Sequence, residues 1–171
     1  MSTPDGCALC DGRASDPDLL RQEVSSDELW RLTTAQIGEV AGFSYLEPRR
    51  HIQSIVEIDG AEAATLGATL AKTTAALKEA TNAPLVYVYV FGDGIPHLHL
   101  HLAPHHEGDA LSSQMVKGQL SPRILPSGAE VMVSNHYPLL PEELMNAAID
   151  GVRRILSPPP PPPPDLAAEP G

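Results

Sequence analysis

His97, His99 and His101 alternate with Leu98, Leu100 and Leu102, directly after Gly92-Asp93-Gly94-Ile95-Pro96. Alternation with period two marks a β-strand, because successive side chains leave a strand on opposite faces. The leucines then cover a core and the histidines form a row of imidazoles on the other face. Neighbours in that row stand roughly 6.5 Å apart and the outer pair about 13 Å apart, from the rise of a strand. Ligand nitrogens lie about 2 Å from a zinc ion, so one ion cannot easily take all three rings. The row is better read as divided labour: one imidazole for structure or metal, one as nucleophile, one as donor to a developing charge. Each buried imidazole also needs a partner, which makes three in register hard to explain as packing alone.

Cys7-Ala8-Leu9-Cys10 is a second chemical signal. A Cys-x-x-Cys pair is half of a zinc site or a redox pair, and the strand-then-helix context of a redox centre is missing here. Two ligands do not close a tetrahedral site, so two more must come from elsewhere. The Gly92-Asp93-Gly94 stretch leaves backbone N–H groups accessible, as loops that hold phosphate oxygens do, although a plain hairpin turn also uses glycine.

The elements that must position these groups follow from pattern and punctuation. Glu23-Val24 and Leu29 to Leu32 flank a Ser-Ser-Asp turn, and Phe43 to Leu46 follow a break at Gly42, which reads as three short strands. Trp30 is core or pocket wall, with core the better fit. Residues 60–81 repeat Leu66, Leu70, Thr73 or Thr74 and Leu77 at helical spacing, with Asp59 as N-cap and Asn82-Ala83-Pro84 as the stop. Leu85 to Phe91 is a β-branched and aromatic strand that forms a hairpin with the histidine strand. Residues 105–128 read as a long loop, Val131 to Val133 as a short strand, and Pro141 to Leu156 as a second helix. The expected domain is residues 1–156, followed by a proline-rich tail of residues 157–171 whose seven-proline run is polyproline II or disordered.

At 171 residues the chain is sized for one domain with a real core. Eleven basic against 22 acidic residues give a net charge of −11. That balance argues against binding long nucleic acid, which relies on neutralising phosphates, but leaves room for a single nucleotide in a local pocket. No apolar run approaches the length of a membrane span, and the start lacks the basic and apolar segments of a signal peptide. A cytoplasmic protein is expected, and there two cysteines seldom form a structural disulfide.

The His-x-His-x-His strand, with apolar residues between and after, resembles the signature of the histidine triad superfamily of nucleotide hydrolases and transferases. It is also similar to the galactose phosphate uridylyltransferase branch of that superfamily. The resemblance covers residues 5 to 156. It implies an α+β fold, with an antiparallel sheet of about five strands and two main helices. It also implies reaction at the α-phosphate of a nucleoside phosphate derivative. His99 is then the nucleophile, its other ring nitrogen held by a backbone carbonyl, and His101 the donor to a phosphoryl oxygen or leaving atom. His97 completes the catalytic row. In zinc-carrying relatives a histidine after the third strand joins the terminal cysteines and the first triad histidine. Carried over, this gives Cys7, Cys10, His51 and His97 as ligands of a structural zinc. Gly92, Asp93, Gly94, Arg49 and Arg50 are the expected substrate contacts, and a homodimer the expected assembly.

The chain departs from the common hydrolase pattern. Gly92, Asp93 and Gly94 replace a Gly-Gln-hydroxyl sequence, Val86 stands where a carboxamide is usual, and His105 replaces an arginine after Pro104. Those replaced groups ordinarily contact phosphate, and Asp93 adds charge of the wrong sign. A second reading is therefore kept: a non-catalytic, zinc-stabilised protein of the same fold that binds a nucleotide or a partner. A third, in which the histidine row itself ligates a divalent metal, lacks the nearby carboxylate such sites use.

Overall fold

The computed structural model describes residues 7–91, 94–111 and 117–157. Five antiparallel strands form the main sheet: β1 (Arg21–Ser26), β2 (Trp30–Ala35), β3 (Ser44–Pro48), β4 (Leu85–Tyr89) and β5 (Leu100–His105), in the order β1-β2-β3-β5-β4. Helix α1 (Gly60–Thr81) joins β3 to β4 across one face, and helix α2 (Glu142–Leu156) closes the described chain on that same side. The expected α+β class, sheet and two helices are all present.

The leucine half of the histidine strand behaves as its alternation demands. Leu98, Leu100 and Leu102 are 1%, 3% and 0% exposed and pack with Leu32, Leu46, Leu77, Ile149 and Val152 between the sheet and the helices. Burying each such side chain stabilises the fold by about 1.5–3 kcal/mol. Trp30 joins this core at 2% exposure, and its indole N–H donates to Thr65 Oγ1 at 2.9 Å, tying β2 to α1. The helices approach each other through small residues. A Cβ on Gly151 would lie 3.0 Å from that of Ala80.

Helix α1 ends as expected, with Asn82 in the left-handed conformation at φ 53°. Its start differs in detail. Asp59 occupies the N-cap position, but its carboxylate accepts from Arg50 at 2.8 Å and makes no side-chain cap bond. The expected long loop of residues 105–128 is also corrected. It contains β6 (Leu120–Ile124), which pairs with β7 (Glu130–Ser134) in a separate two-stranded ribbon. Pro122 in the middle of β6 masks the strand in the sequence; proline is tolerated there because this small ribbon has edges. The proline run falls outside the described residues.

The histidine strand also starts later than its alternation suggests. Regular pairing begins at Leu100, so His97 and His99 lie on the approach to β5. The link from β4 is a ten-residue connection spanning 90–99, not a tight hairpin turn. Of the three expected phosphate-loop residues, Gly92 and Asp93 lie outside the described residues and only Gly94 can be placed.

Candidate catalytic cavity and metal centre

Strand β5 is flanked by β3 on one side and β4 on the other, which sets Tyr45 and Tyr89 both opposite His101. On the face away from the helices His101 is therefore packed among aromatic rings. It stacks on Tyr89 with centroids 5.1 Å apart and meets Tyr45 and Phe91 edge-on, each at 5.3 Å. Burial, and secondarily the neighbouring His99, push its pKa down to about 4. The ring is neutral at physiological pH, and its Nε2 is buried with no hydrogen-bond partner among the described residues. An orphaned polar atom at this depth is costly unless a ligand meets it.

His99 sits beside it, ring centroids 5.0 Å apart. Its Nδ1 lies 2.7 Å from the carbonyl oxygen of His97. A carbonyl can only accept, so Nδ1 carries the proton and Nε2 keeps its lone pair. Both rings line a cavity of about 260 Å³, whose other walls are Leu9, Leu19, Arg21, Tyr45, Gly94 and Ile95. This is near the low end of small-molecule sites, which hold about 300–1,000 Å³. A larger hollow of about 440 Å³ lies nearby, lined by Arg13, Glu23, Arg31 and Glu47 among others. It contains no imidazole, and those cations are already paired with carboxylates. Of the two, the smaller cavity is the one that the imidazoles line.

His97 turns away from both neighbours. It is 2% exposed, and its Nε2 lies 2.8 Å from the carbonyl oxygen of Pro48. That nitrogen must donate, which leaves Nδ1 as a free lone pair. Nδ1 faces Cys7 Sγ at 3.6 Å and Cys10 Sγ at 3.4 Å, while Cys10 Sγ lies 3.2 Å from Nδ1 of His51. Ligand atoms of Cys7, Cys10, His51 and His97 all fall within 4.8 Å of one another. A tetrahedral ion with thiolate and imidazole ligands spaces sulfur and nitrogen about 3.5 Å apart, given bonds of roughly 2.3 and 2.0 Å. The four residues fit a divalent metal, and the Pro48 carbonyl supplies the outer hydrogen bond that orients such a ligand. Burial and the contact with Cys7 push the Cys10 thiol up to about 12, a bias that a bound dication reverses by stabilising the thiolate. With one nitrogen on Pro48 and the other turned to the sulfurs, His97 has no ring atom to offer the cavity. His99 and His101 belong to no metal-ligating group among the described residues.

Arg49 and Arg50 do not line the cavity. Arg49 is exposed and reaches the Asp27 carbonyl, whereas Arg50 is held by Glu62 at 3.0 Å and Asp59 at 2.8 Å. Val86 packs against the core beneath the helices. The cation that does line the cavity is Arg21. It is 4% exposed and belongs to a buried ionic group that the sequence alone did not reveal. Arg21 donates to Asp16 at 3.0 Å and through both terminal nitrogens to Glu47 at 2.9 and 3.3 Å. Arg31 donates to Glu47 at 3.0 Å and also to Asp16 and Glu23. The only advance signal was an arginine and a glutamate within strand sequences, which strands tolerate when each finds a partner.

Neither family models nor curated proteins match this sequence. Solved structures do. A histidine triad protein from Bradyrhizobium japonicum superposes with a TM-score of 0.64 at 19% identity, over 84% of this chain and 96% of its own. The chain has the histidine triad fold. A hypothetical histidine triad nucleotide-binding protein from Sulfolobus tokodaii gives 0.60 at 19% identity, over 88% and 91%. A zinc-bound histidine triad family protein from Mycobacterium smegmatis gives 0.59 at 15% identity, over 88% and 93%. In this histidine triad fold, as described, no helix is long and apolar enough to cross a membrane.

Proposed function

We propose that this chain is a nucleotide hydrolase or nucleotidyltransferase, acting at the α-phosphorus of a nucleoside phosphate derivative through a nucleotidyl-histidine intermediate. The observation that carries this reading is the fixed tautomer of His99. The His97 carbonyl accepts a hydrogen bond from Nδ1–H, so the Nε2 lone pair belongs to a ring that lines the cavity shared with His101. A neutral imidazole avoids the repulsion that anionic phosphoryl oxygens impose on charged nucleophiles, and it splits one hard displacement into two easier ones. His99 Nε2 forms a bond to phosphorus as the bond to the leaving atom breaks, and that atom takes a proton from solvent, which the attacking water returns in the second step. Water or another acceptor then displaces His99 and releases the nucleotide.

His101, kept neutral by burial among aromatic rings, donates a hydrogen bond to a phosphoryl oxygen through its Nε2, which has no partner among the described residues. Gly94 borders the same space, and Arg21 is a cation that lines it. Cys7, Cys10, His51 and His97 hold a structural zinc, in keeping with the mixed sulfur and nitrogen donors. The partner is a small nucleotide. We also read the edge strand β4 as the contact for a second copy, because Leu85 and Val88 on it, and Val90 and Phe91 just after it, are each 39–54% exposed.

The test is a panel of nucleoside phosphoramidates, dinucleoside polyphosphates and nucleotide sugars, with intact-protein mass recorded during turnover. An acid-labile nucleotidyl adduct is expected on the wild type, with neither adduct nor turnover in His99→Ala. Nucleotide binding without turnover across the panel favours the non-catalytic reading, to which the apolar Val86 position already lends weight. Retained turnover in His99→Ala ends the assignment.

A further inference from the structure

Three walls of the reaction cavity come from one short segment. Leu9 lies inside the Cys7–Cys10 pair, Leu19 lies in the turn that leads into β1, and Arg21 opens that strand. Leu9 and Cys7 are 5% and 3% exposed, yet neither belongs to a hydrophobic core cluster, and Leu19 joins none either. Something other than the apolar core holds this segment down.

Besides the Arg13–Glu23 ion pair and the Gln36 N–H that donates to the Leu20 carbonyl at 2.8 Å, two larger side-chain ties are visible. At one end the sulfurs of Cys7 and Cys10 converge on His51 and His97. At the other, Asp16 bridges Arg21 and Arg31, while the Arg21 N–H reaches the Asp16 carbonyl at 3.1 Å. Between them the chain is shaped by local turns, and Leu20 sits at φ 50°, a conformation that a leucine adopts only when its surroundings impose it. A segment so fastened, whose buried Cys7 and Leu9 lie outside both apolar core clusters, opens at lower cost than the core beneath it.

We propose that residues 7–21 form a metal-fastened wall of the His99–His101 cavity, with Leu9 and Leu19 setting the size of the group the cavity admits beside the phosphorus. The ion would then do more than stabilise the fold. Its ligands hold Leu9 in place, so occupancy of the metal centre fixes the shape of a space to which the metal itself does not belong. The size-setting half rests on the reaction proposed above; the fastening half does not.

The experiment compares the full chain loaded with zinc and stripped by chelation. Amide exchange over residues 8–20 should accelerate by about tenfold or more on stripping, while core amides such as those of Leu32 and Leu102 keep their protection. Diethyl pyrocarbonate modification of His99, read by peptide mass, should rise in parallel. A zinc-loaded Leu9→Trp variant, with metal content confirmed at one ion per chain, should show slower His99 modification because the indole fills the cavity. Leu9→Ala, also loaded, should raise kcat/KM for substrates with bulky leaving groups relative to small ones. Unchanged exchange over 8–20 in stripped protein overturns the fastening, and so does exchange that accelerates equally throughout the core. Unchanged His99 reactivity in loaded Leu9→Trp, or unchanged size preference in Leu9→Ala, overturns the wall. If no substrate turns over at all, exchange and labelling still decide the structural proposal, so its failure stays separate from that of the reaction.

Discussion

Replacing Glu47 with Gln should destabilise the protein far more than a change of one oxygen to an amide suggests. Glu47 is 1% exposed and accepts three hydrogen bonds, two from Arg21 and one from Arg31. The buried group of Asp16, Arg21, Arg31 and Glu47 holds two positive and two negative charges, and the variant leaves it with an uncompensated positive charge. A neutral amide oxygen still accepts from one guanidinium, but its NH₂ confronts the other. Breaking a buried pair in this way costs about 3–5 kcal/mol. For a domain of this size each kcal/mol lowers Tm by roughly 2–4 °C, so a fall of about 10 °C is expected. Thermal and urea unfolding of the metal-loaded protein, with an unchanged m-value, measures it. An internal control removes one charge of each sign. Arg31→Leu with Glu47→Leu leaves Arg21 with Asp16 and Glu23 with Arg13, and should show a favourable coupling of about 1–3 kcal/mol. A loss below about 1 kcal/mol in Glu47→Gln, the range of a solvent-exposed pair, would refute the claim that these charges are buried together.

Three further outcomes follow from particular contacts. His101 titrates near 4 in the fold and near 6.5 when unfolded, so the unfolded chain binds the extra proton between those values. Its contribution to stability is complete above about pH 6.5 and is lost as pH falls toward about 4; unfolding curves of His101→Gln should lack that part of the slope, and an identical slope refutes the assignment. Gly42 sits at φ 77° with space for a Cβ only 2.7 Å from Thr81, so Gly42→Ala should cost about 2–4 kcal/mol by denaturant melts, and a neutral result contradicts that packing. Val88→Glu on the edge strand should convert a dimer to a monomer by light scattering, and a wild type that is already monomeric removes the β4 contact from consideration.

Much of the architecture was legible because it is local. Leu98, Leu100 and Leu102 alternate, and alternation puts them on one face of whatever sheet they join. Residues 60–81 repeat at helical spacing and stop at Asn82, whose left-handed conformation is a local property of the chain end. A backbone carbonyl against His99 was implied by the family resemblance alone, and in the structure it is that of His97, two residues away. Strand β6 was hidden by Pro122, where a local rule against proline competed with an edge position that only the fold reveals.

The sequence by itself determined that Leu98, Leu100 and Leu102 would share one face, and that Cys7 and Cys10 could supply only half of a tetrahedral site. It could not determine which imidazole serves which purpose by spacing alone. Cys7 and His97 are separated by 90 positions, and Arg21 and Glu47 by 26, so their meeting depends on the order and register of strands that lie between. Arg49 and Arg50 look like substrate cations from their place beside His51, yet the turn directs them to Asp27, Glu62 and Asp59. Only the tertiary structure brings Leu9 and Arg21 to the histidine cavity, because periodicity speaks for a side chain's face within its own element and says nothing about which distant element comes to cover it.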